Sequence, residues 1–460
     1  MTGNLDALRP GFGGRILTSG DAGYDDARVL FNSMLTARPQ VIAQCATAQD
    51  VPIALDYARV NNLSVAVRSG GHSVAGASTA DGGLVIDLRG LNDVTVDAGK
   101  RTARVGGGAL WGDVDRATQP YGLATTGGRV STTGVAGLTL GGGSGWLERR
   151  FGLACDNVLS ADVVSADGRR ITASAQENPE LFWALHGGGG NFGVVTSLTF
   201  QLHPLPDFSI ALLLWPADQG RALAGTYRSL MNNAPEEYGG GFMYVTGPPE
   251  EFVPAHLQGA RCSGAIVTYC GPEAELRDFI APLLMMAPEA QVVTAIPYVQ
   301  FQSMLDVPSG FRNYWSAEHL KDLPDEVLDR FCERSADMLV PTPSQQLLLP
   351  LGGAVGRGAA WPGFNRDDAW IVHPLGLWPD PADDERVRAW ARNLQADVRP
   401  WSTGDVYLNF IGDEGEERVV AGFGLANYRR LSRLKAELDP DNVFDRWHNV
   451  RPARAAGTGV

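Results

Sequence analysis

Lysine is nearly missing from this 460-residue chain. Lys100, Lys321 and Lys435 are the only three, so the cationic charge rests on arginine. Basic charge as a whole is short: 52 acidic residues oppose 38 basic ones, for a formal net charge of −14. Nucleic acid and anionic membrane surfaces are thereby excluded as partners, since a phosphate-rich surface needs a basic face. Pairs such as Arg149-Arg150 and Arg429-Arg430 are too short to change that and read as solvated charge or salt bridges. Cysteine is also sparse. Cys45, Cys155, Cys262, Cys270 and Cys332 are odd in number and lack metal-type spacing, which argues against a disulfide framework and against a metal site. No apolar run approaches membrane-spanning length, and the first residues carry no basic stretch followed by an apolar one. A cytoplasmic location is therefore expected.

Glycine, by contrast, is abundant at 56 residues, and it is clustered. The segment Gly134-Val135-Ala136-Gly137-Leu138-Thr139-Leu140-Gly141-Gly142-Gly143-Ser144-Gly145-Trp146 holds too many glycines for a helix or strand interior, where each costs conformational entropy. Backbone pressed against a ligand explains it better. Consecutive N–H groups freed in this way form concave anion sites, so a pyrophosphate suits them. A second such stretch is Arg68-Ser69-Gly70-Gly71-His72-Ser73, which follows a strand-like run at 63–67. A Rossmann fold is not indicated: no strand-linked G-x-G-x-x-G is followed by an acidic residue at the right distance, and Gly187-Gly188-Gly189-Gly190 is a weak imitation.

The length exceeds what one core usually supports, and 44% apolar residues suffice for two packed lobes. Residues 1–205 alternate strands (41–43, 63–67, 83–88, 157–165, 193–200), a hairpin about Ala98-Gly99-Lys100, and helices at 51–61 and 111–119. After His203-Pro204-Leu205-Pro206 glycine thins out. Residues 206–400 offer strands at 210–215, 265–269, 345–349 and 370–375 between helices at 220–231, 273–284, 325–339 and 384–396. That pattern predicts an α+β chain whose second lobe is a mostly antiparallel sheet backed by helices. Residues 401–452 return to the first lobe, and 453–460 form a tail.

The order RSGGHS, GVAGLTLGGGSGWL, RRFGLACDN, ELFWALHGGGGNFGVVTSLTF and finally NYRRLSRLKAELDPDNVF resembles the berberine-bridge-enzyme-like branch of the vanillyl-alcohol-oxidase superfamily. The resemblance implies a PCMH-type FAD-binding lobe joined to a substrate lobe. It implies FAD bonded through His72 and, from the Gly152-Leu153-Ala154-Cys155-Asp156-Asn157 match, through Cys155 as well. Backbone contacts to the cofactor are expected from Arg68, Ser69, Gly70, Gly71, Ser73, Gly134, Val135, Gly137, Gly142, Gly143 and Val195, with Asn409 beneath the ring.

Many oxidases of that family end a Y-x-N-Y strand on a catalytic tyrosine. This chain has Tyr407-Leu408-Asn409-Phe410, and a phenyl ring cannot accept a proton. Tyr407, Tyr314 and His373 are the remaining candidates for proton transfer. Tyr298, Phe301, Phe311, Tyr314, Trp315 and Trp370 are candidates to line a flat apolar pocket. The implied reaction passes hydride from a small organic molecule (amine, alcohol or secondary metabolite) to FAD and electrons on to dioxygen, yielding hydrogen peroxide. A carbohydrate or alcohol oxidase with another base, a dehydrogenase, and a flavin binder without turnover stay open beside it.

Overall fold

The computed structural model describes residues 5, 8–363 and 365–454; most of the expected tail, 455–460, lies outside the described residues. The architecture is α+β, built on three main sheets.

The first sheet has four strands in the order Arg15–Leu17, Val41–Gln44, Leu84–Asp87, Val65–Arg68. The last three run parallel, and Leu84–Asp87 is buried at every position, as expected of a strand covered on both faces. Helix Asp50–Val60 packs there through Val51, Ala54, Leu55 and Ala58, the spacing of a helical stripe. The second sheet is antiparallel, in the order Val94–Asp97, Thr102–Gly106, Val194–Gln201, Val158–Val164, Arg170–Ser174. Between its second strand and Val158–Val164 the chain leaves the sheet to form helix Trp111–Thr118 and the glycine-rich segment. That segment is not wholly irregular as its composition suggested: Val135–Leu140 is a short helix that tolerates Gly137 because its other residues pack inward.

The third sheet has eight antiparallel strands, whose main path runs Ala290–Ala295, Ser209–Pro216, Arg261–Tyr269, Tyr238–Thr246, Gln345–Pro350, Trp370–Trp378, Arg312–Trp315, while Glu318–Leu320 also pairs with Trp370–Trp378. Its period-two alternation divides the side chains. Ala211, Leu213, Trp215, Phe242, Val267, Leu348, Trp370 and Val372 form one core with helices Gly220–Asn232, Asp325–Arg334 and Asp384–Val398. Leu212, Met243, Ile266, Leu347, Leu349 and His373 face the opposite way.

Several expected elements are corrected. The expected helix at 273–284 is two, Glu273–Phe279 and Ala281–Leu284, broken at Ile280 ahead of Pro282. The one at 325–339 ends at Arg334 and continues as a 3-10 turn. Strand Tyr238–Thr246 escapes a propensity reading because it opens on Gly239-Gly240-Gly241. Gly240 is at φ +129° and a Cβ there would meet Ile266 O at 1.9 Å, so the neighbouring strand demands glycine.

A shared core joins the sheets. Trp146, Leu147 and Leu153 from the glycine-rich region meet Phe208, Phe301, Met243, Leu347 and Ile371. The C-terminal helix Leu425–Leu438 returns to the first half, where the fully buried Lys435 ammonium donates to Asn191 O, Phe444 O and Asp439 Oδ2 at 2.6–2.8 Å. An unpaired ammonium could not be buried there, and its three acceptors fix the closing segment.

Candidate active site

A cavity of about 560 Å³ lies between the two glycine loops and the open face of the large sheet. That is the size of a small-molecule site. One end is walled by Ser69, Gly70, Gly71, His72, Ser73, Gly134, Gly137 and Val195; the other by Leu212, Met243, Ile266, Leu347, Leu349 and Leu375. Asn409, Phe410, His373 and Trp315 stand between.

The loops touch backbone to backbone: a Cβ on Gly70 would lie 2.3 Å from Gly134 N, and one on Gly134 2.2 Å from Gly70 N. Gly71 sits at φ +76°, where glycine alone is unstrained. Gly137 and Gly190 line the cavity, and a Cβ on either would meet nothing within 4 Å, so a side chain there would project into open space. Among the described residues the N–H groups of Gly70, Gly71, His72 and Ser73 make no hydrogen bond within the protein. Free N–H groups beside an open glycine cradle fit a phosphate-bearing cofactor.

His72 projects from this loop with its ring held on two sides. It stacks on Phe31, centroids 4.2 Å apart, and its Nε2 is 3.0 Å from Thr132 Oγ1. Burial pushes its pKa down to about 4, so the imidazole is neutral with a lone pair available.

The remaining expected cofactor residues lie behind the wall. The Arg68 guanidinium donates to Ala27 O and Val29 O, ordering the segment that carries Phe31. Val135 is fully buried, its N–H donating to Ala109 O. Gly142 and Gly143, at φ +118° and +93°, accept at their carbonyls from Cys155 N and Ala154 N. Cys155 does not reach the cavity. It is 1% exposed in the core with Trp146, Leu147 and Leu153, and burial raises its thiol well above the ordinary range.

Two of the three candidate proton-transfer groups are displaced. The buried Tyr407 hydroxyl accepts N–H bonds from Gly143, Ser144 and Asn409 Nδ2 at 2.8–2.9 Å, and burial pushes its pKa up to about 12. It braces the glycine turn. The 407–410 stretch is also no strand: Leu408–Phe410 is a 3-10 turn, which brings Asn409 and Phe410 to the cavity while Tyr407 points inward. Tyr314 faces the helix side of its strand, under the Arg392 guanidinium, and its neighbour Trp315 faces the cavity. The other aromatics expected there belong to cores or lie outside the lining: Tyr298 and Phe301 between the sheets, Trp370 on the helix face, Phe311 before its strand.

His373 does face the cavity, at 1% exposure. Pro374 explains its setting. Lacking an N–H, it coincides with a break in the neighbouring strand between Trp315 and Glu318, which leaves Ser316 O to accept from His373 Nδ1 at 2.7 Å. Since a carbonyl only accepts, the proton is on Nδ1 and Nε2 carries the lone pair. Among the described residues that buried Nε2 has no hydrogen-bond partner, and burial pushes the ring's pKa down to about 4. Trp315 Nε1 is likewise buried and unpartnered. Asp306, the one carboxylate in the lining among the described residues, accepts from Ser131 N and Ser131 Oγ. Sequence reasoning did not reach Phe31, Thr132 or Asp306, which act across chain separations that no local pattern encodes. Among the described residues no group of three or more metal-ligating side chains is assembled, and no helix is long and apolar enough to cross a membrane.

Comparison with known proteins agrees with this geometry. A family model described as an FAD binding domain matches residues 39–174, and one described as berberine and berberine like matches residues 406–451. The chain is 31% identical to the FAD-linked oxidoreductase YgaK of Bacillus subtilis (strain 168), over 96% of this chain and 97% of that one. It is 32% identical to (R)-6-hydroxynicotine oxidase of Paenarthrobacter nicotinovorans, covering 95% and 97%. Among solved structures, 6-hydroxy-D-nicotine oxidase from Arthrobacter nicotinovorans superposes with a TM-score of 0.83 at 27% identity, over 96% of this chain and 98% of that one. Berberine bridge enzyme from Eschscholzia californica, at 20% identity, shares the fold with a TM-score of 0.85 over 98% and 99%. The chain belongs to the berberine-bridge-like FAD-linked oxidoreductases, and FAD is its cofactor.

Proposed function

We propose that the protein is an oxidase that withdraws hydride from a C–H bond of a small, flat, uncharged organic molecule, an amine or a secondary metabolite, and returns the electrons to dioxygen as hydrogen peroxide. Bound FAD supplies the two-electron acceptor. The loops around Gly70, Gly134 and Gly137 hold it, and His72 anchors it covalently through its neutral ring. A single link is favoured over two by the burial of Cys155.

One observation carries the substrate reading: among the described residues the wall facing the cradle is apolar and offers no free carboxylate or phenol. Phe410 occupies the place where a tyrosine would take a hydroxyl proton, and Asp306 is committed to Ser131. An uncharged amine needs no such base, whereas an alcohol does. The relative that acts on 6-hydroxynicotine supports the same class. An alcohol oxidase using His373 as base is the second reading; the depressed pKa of that ring weighs against it.

The test is anaerobic mixing of holoenzyme with secondary amines, glycosides and aromatic alcohols, followed by oxygen uptake for any that bleach the flavin. Bleaching by amines alone, with peroxide formed in air, is expected. Bleaching by glycosides or alcohols instead would transfer the assignment to them.

A further inference from the structure

Residues 305–311 cross from helix Tyr298–Met304 to strand Arg312–Trp315 along the rim of the cavity. Leu305, Asp306, Val307 and Pro308 line it, and Pro308 is exposed, which puts the segment where the cavity meets solvent. Its ends are fastened. The fully buried Gln302 donates to Gly128 O, and Phe311 O accepts from Ser33 N at 3.0 Å. Between them, among the described residues, the backbone of 307–310 forms no hydrogen bond with other backbone. Gly310 sits at φ +96° with nothing within 4 Å of a Cβ built there, so the chain is free to turn at that point. The polar tie at the middle is Asp306, whose Oδ1 accepts from Ser131 N at 2.7 Å and whose Oδ2 accepts from Ser131 Oγ. Ser131 belongs to a fixed lip: its carbonyl accepts from Gly112 N at 2.9 Å, and the next residue's Thr132 Oγ1 lies 3.0 Å from His72 Nε2. A segment short of backbone bonds and tied at one point to a rigid lip opens readily once that point is released.

We propose that residues 305–310 form a lid with Asp306 as its latch, so that Asp306 sets the size of electron acceptor that reaches the reduced flavin. Released, the lid turns about Met304 and Gly310 and admits substrate. Latched to Ser131, it leaves passage for dioxygen and shuts out acceptors the size of a dye or a quinone. The two electrons and two protons that leave the reduced cofactor then go to dioxygen, giving hydrogen peroxide, because no larger acceptor gains access. This rests on the oxidase reading above and adds a physical reason for the choice of acceptor. Hydrogen bonds to a carboxylate are stronger than those between neutral groups, so two of them hold the lid without a large buried contact.

The experiment photoreduces purified holoenzyme without oxygen and mixes it rapidly with 2,6-dichlorophenolindophenol or with dioxygen, reading the return of flavin absorbance, so that no substrate is needed. Asp306→Ala should speed reoxidation by the dye at least about 10-fold and change that by dioxygen less than about 2-fold, with flavin content and circular dichroism as in wild type. The double variant Asp306→Cys with Ser131→Cys, oxidised to a disulfide, should be slower than wild type with the dye, and reduction followed by desalting should restore the rate. Equal dye rates in wild type and Asp306→Ala, or equal acceleration of dye and dioxygen, would overturn the lid. Wild type that reacts with the dye and not with dioxygen would remove the oxidase reading and the selection of dioxygen with it, while a faster dye reaction in Asp306→Ala would still support the lid.

Discussion

The imidazole of His373 lies flat on the phenyl ring of Phe410, with centroids 4.3 Å apart and planes 7° from parallel. The ring that replaces a proton acceptor thus supports a neutral imidazole in the wall. Phe410→Tyr should fold and retain flavin, because the edge of the residue is at the cavity. For an uncharged amine, KM should rise about 3- to 10-fold as a hydroxyl enters an apolar surface. Steady-state kinetics check this, and an increase in kcat would instead mean that a base had been limiting.

Acid precipitation separates the two candidate anchors. His72→Ala should release all yellow colour into the supernatant, and Cys155→Ala should keep it in the pellet with the mass of one FAD attached. Retention of colour by His72→Ala would transfer the link to another residue.

Glycines of the cradle should divide by what surrounds them. Gly137→Leu projects into the cavity and should give folded protein without flavin. Gly70→Ala drives a Cβ into Gly134 N and should cost stability before cofactor binding is reached. Circular dichroism and the ratio of flavin to protein absorbance distinguish the two outcomes.

Tyr407 is expected to matter for stability more than for chemistry. Tyr407→Phe strands N–H groups of Gly143, Ser144 and Asn409 that now reach the hydroxyl, at a cost of about 2–4 kcal/mol in a denaturant titration. A folded, flavin-loaded variant with its pH–rate profile displaced would show a role in proton transfer instead.

Two kinds of buried group give opposite pH dependences. His72, His186, His373 and His448 have pKa values pushed down to about 4 by burial, against 6.5 for the free ring. The unfolded chain therefore binds more protons below pH 6.5; the stability these rings allow is complete above that and is lost as the pH falls towards 4. Asp115 is the reverse. Burial raises its carboxyl to about 8 from 3.8, and Oδ2 lacks a partner, so the folded state is penalised increasingly as pH rises from about 4 to 8. Asp115→Asn should stabilise the protein by about 1–3 kcal/mol at pH 8 and by less at pH 5. An equal gain at both values would mean that ionisation is not involved.

Where the sequence carried its signal in contiguous residues, it could be read. Glycine density marked the loop at 69–73 and the close approach of Gly134, and alternation marked strands such as Val41–Gln44 and Trp370–Trp378. It was silent wherever a side chain's direction depended on a partner far along the chain. Cys155 follows a motif that continues the cofactor loop, yet its N–H is tied to Gly142 O and its sulfur turns into the core. Tyr314 and Trp315 are adjacent aromatics, and only pairing with Trp370–Trp378 decides which of them faces the cavity. The stack of His72 on Phe31 joins residues 41 positions apart, through Arg68 contacts that no spacing rule anticipates.

The cavity has one wall from the glycine loops and another from the large sheet, with the C-terminal turn at 408–410 between them. A molecule held there binds only when all three parts are folded and docked. Its affinity is thereby converted into cooperativity: the loaded protein should melt in one transition, and the stripped protein should let the parts open separately. Cofactor capture is then a late checkpoint of assembly, passed only by chains whose distant segments have already come together.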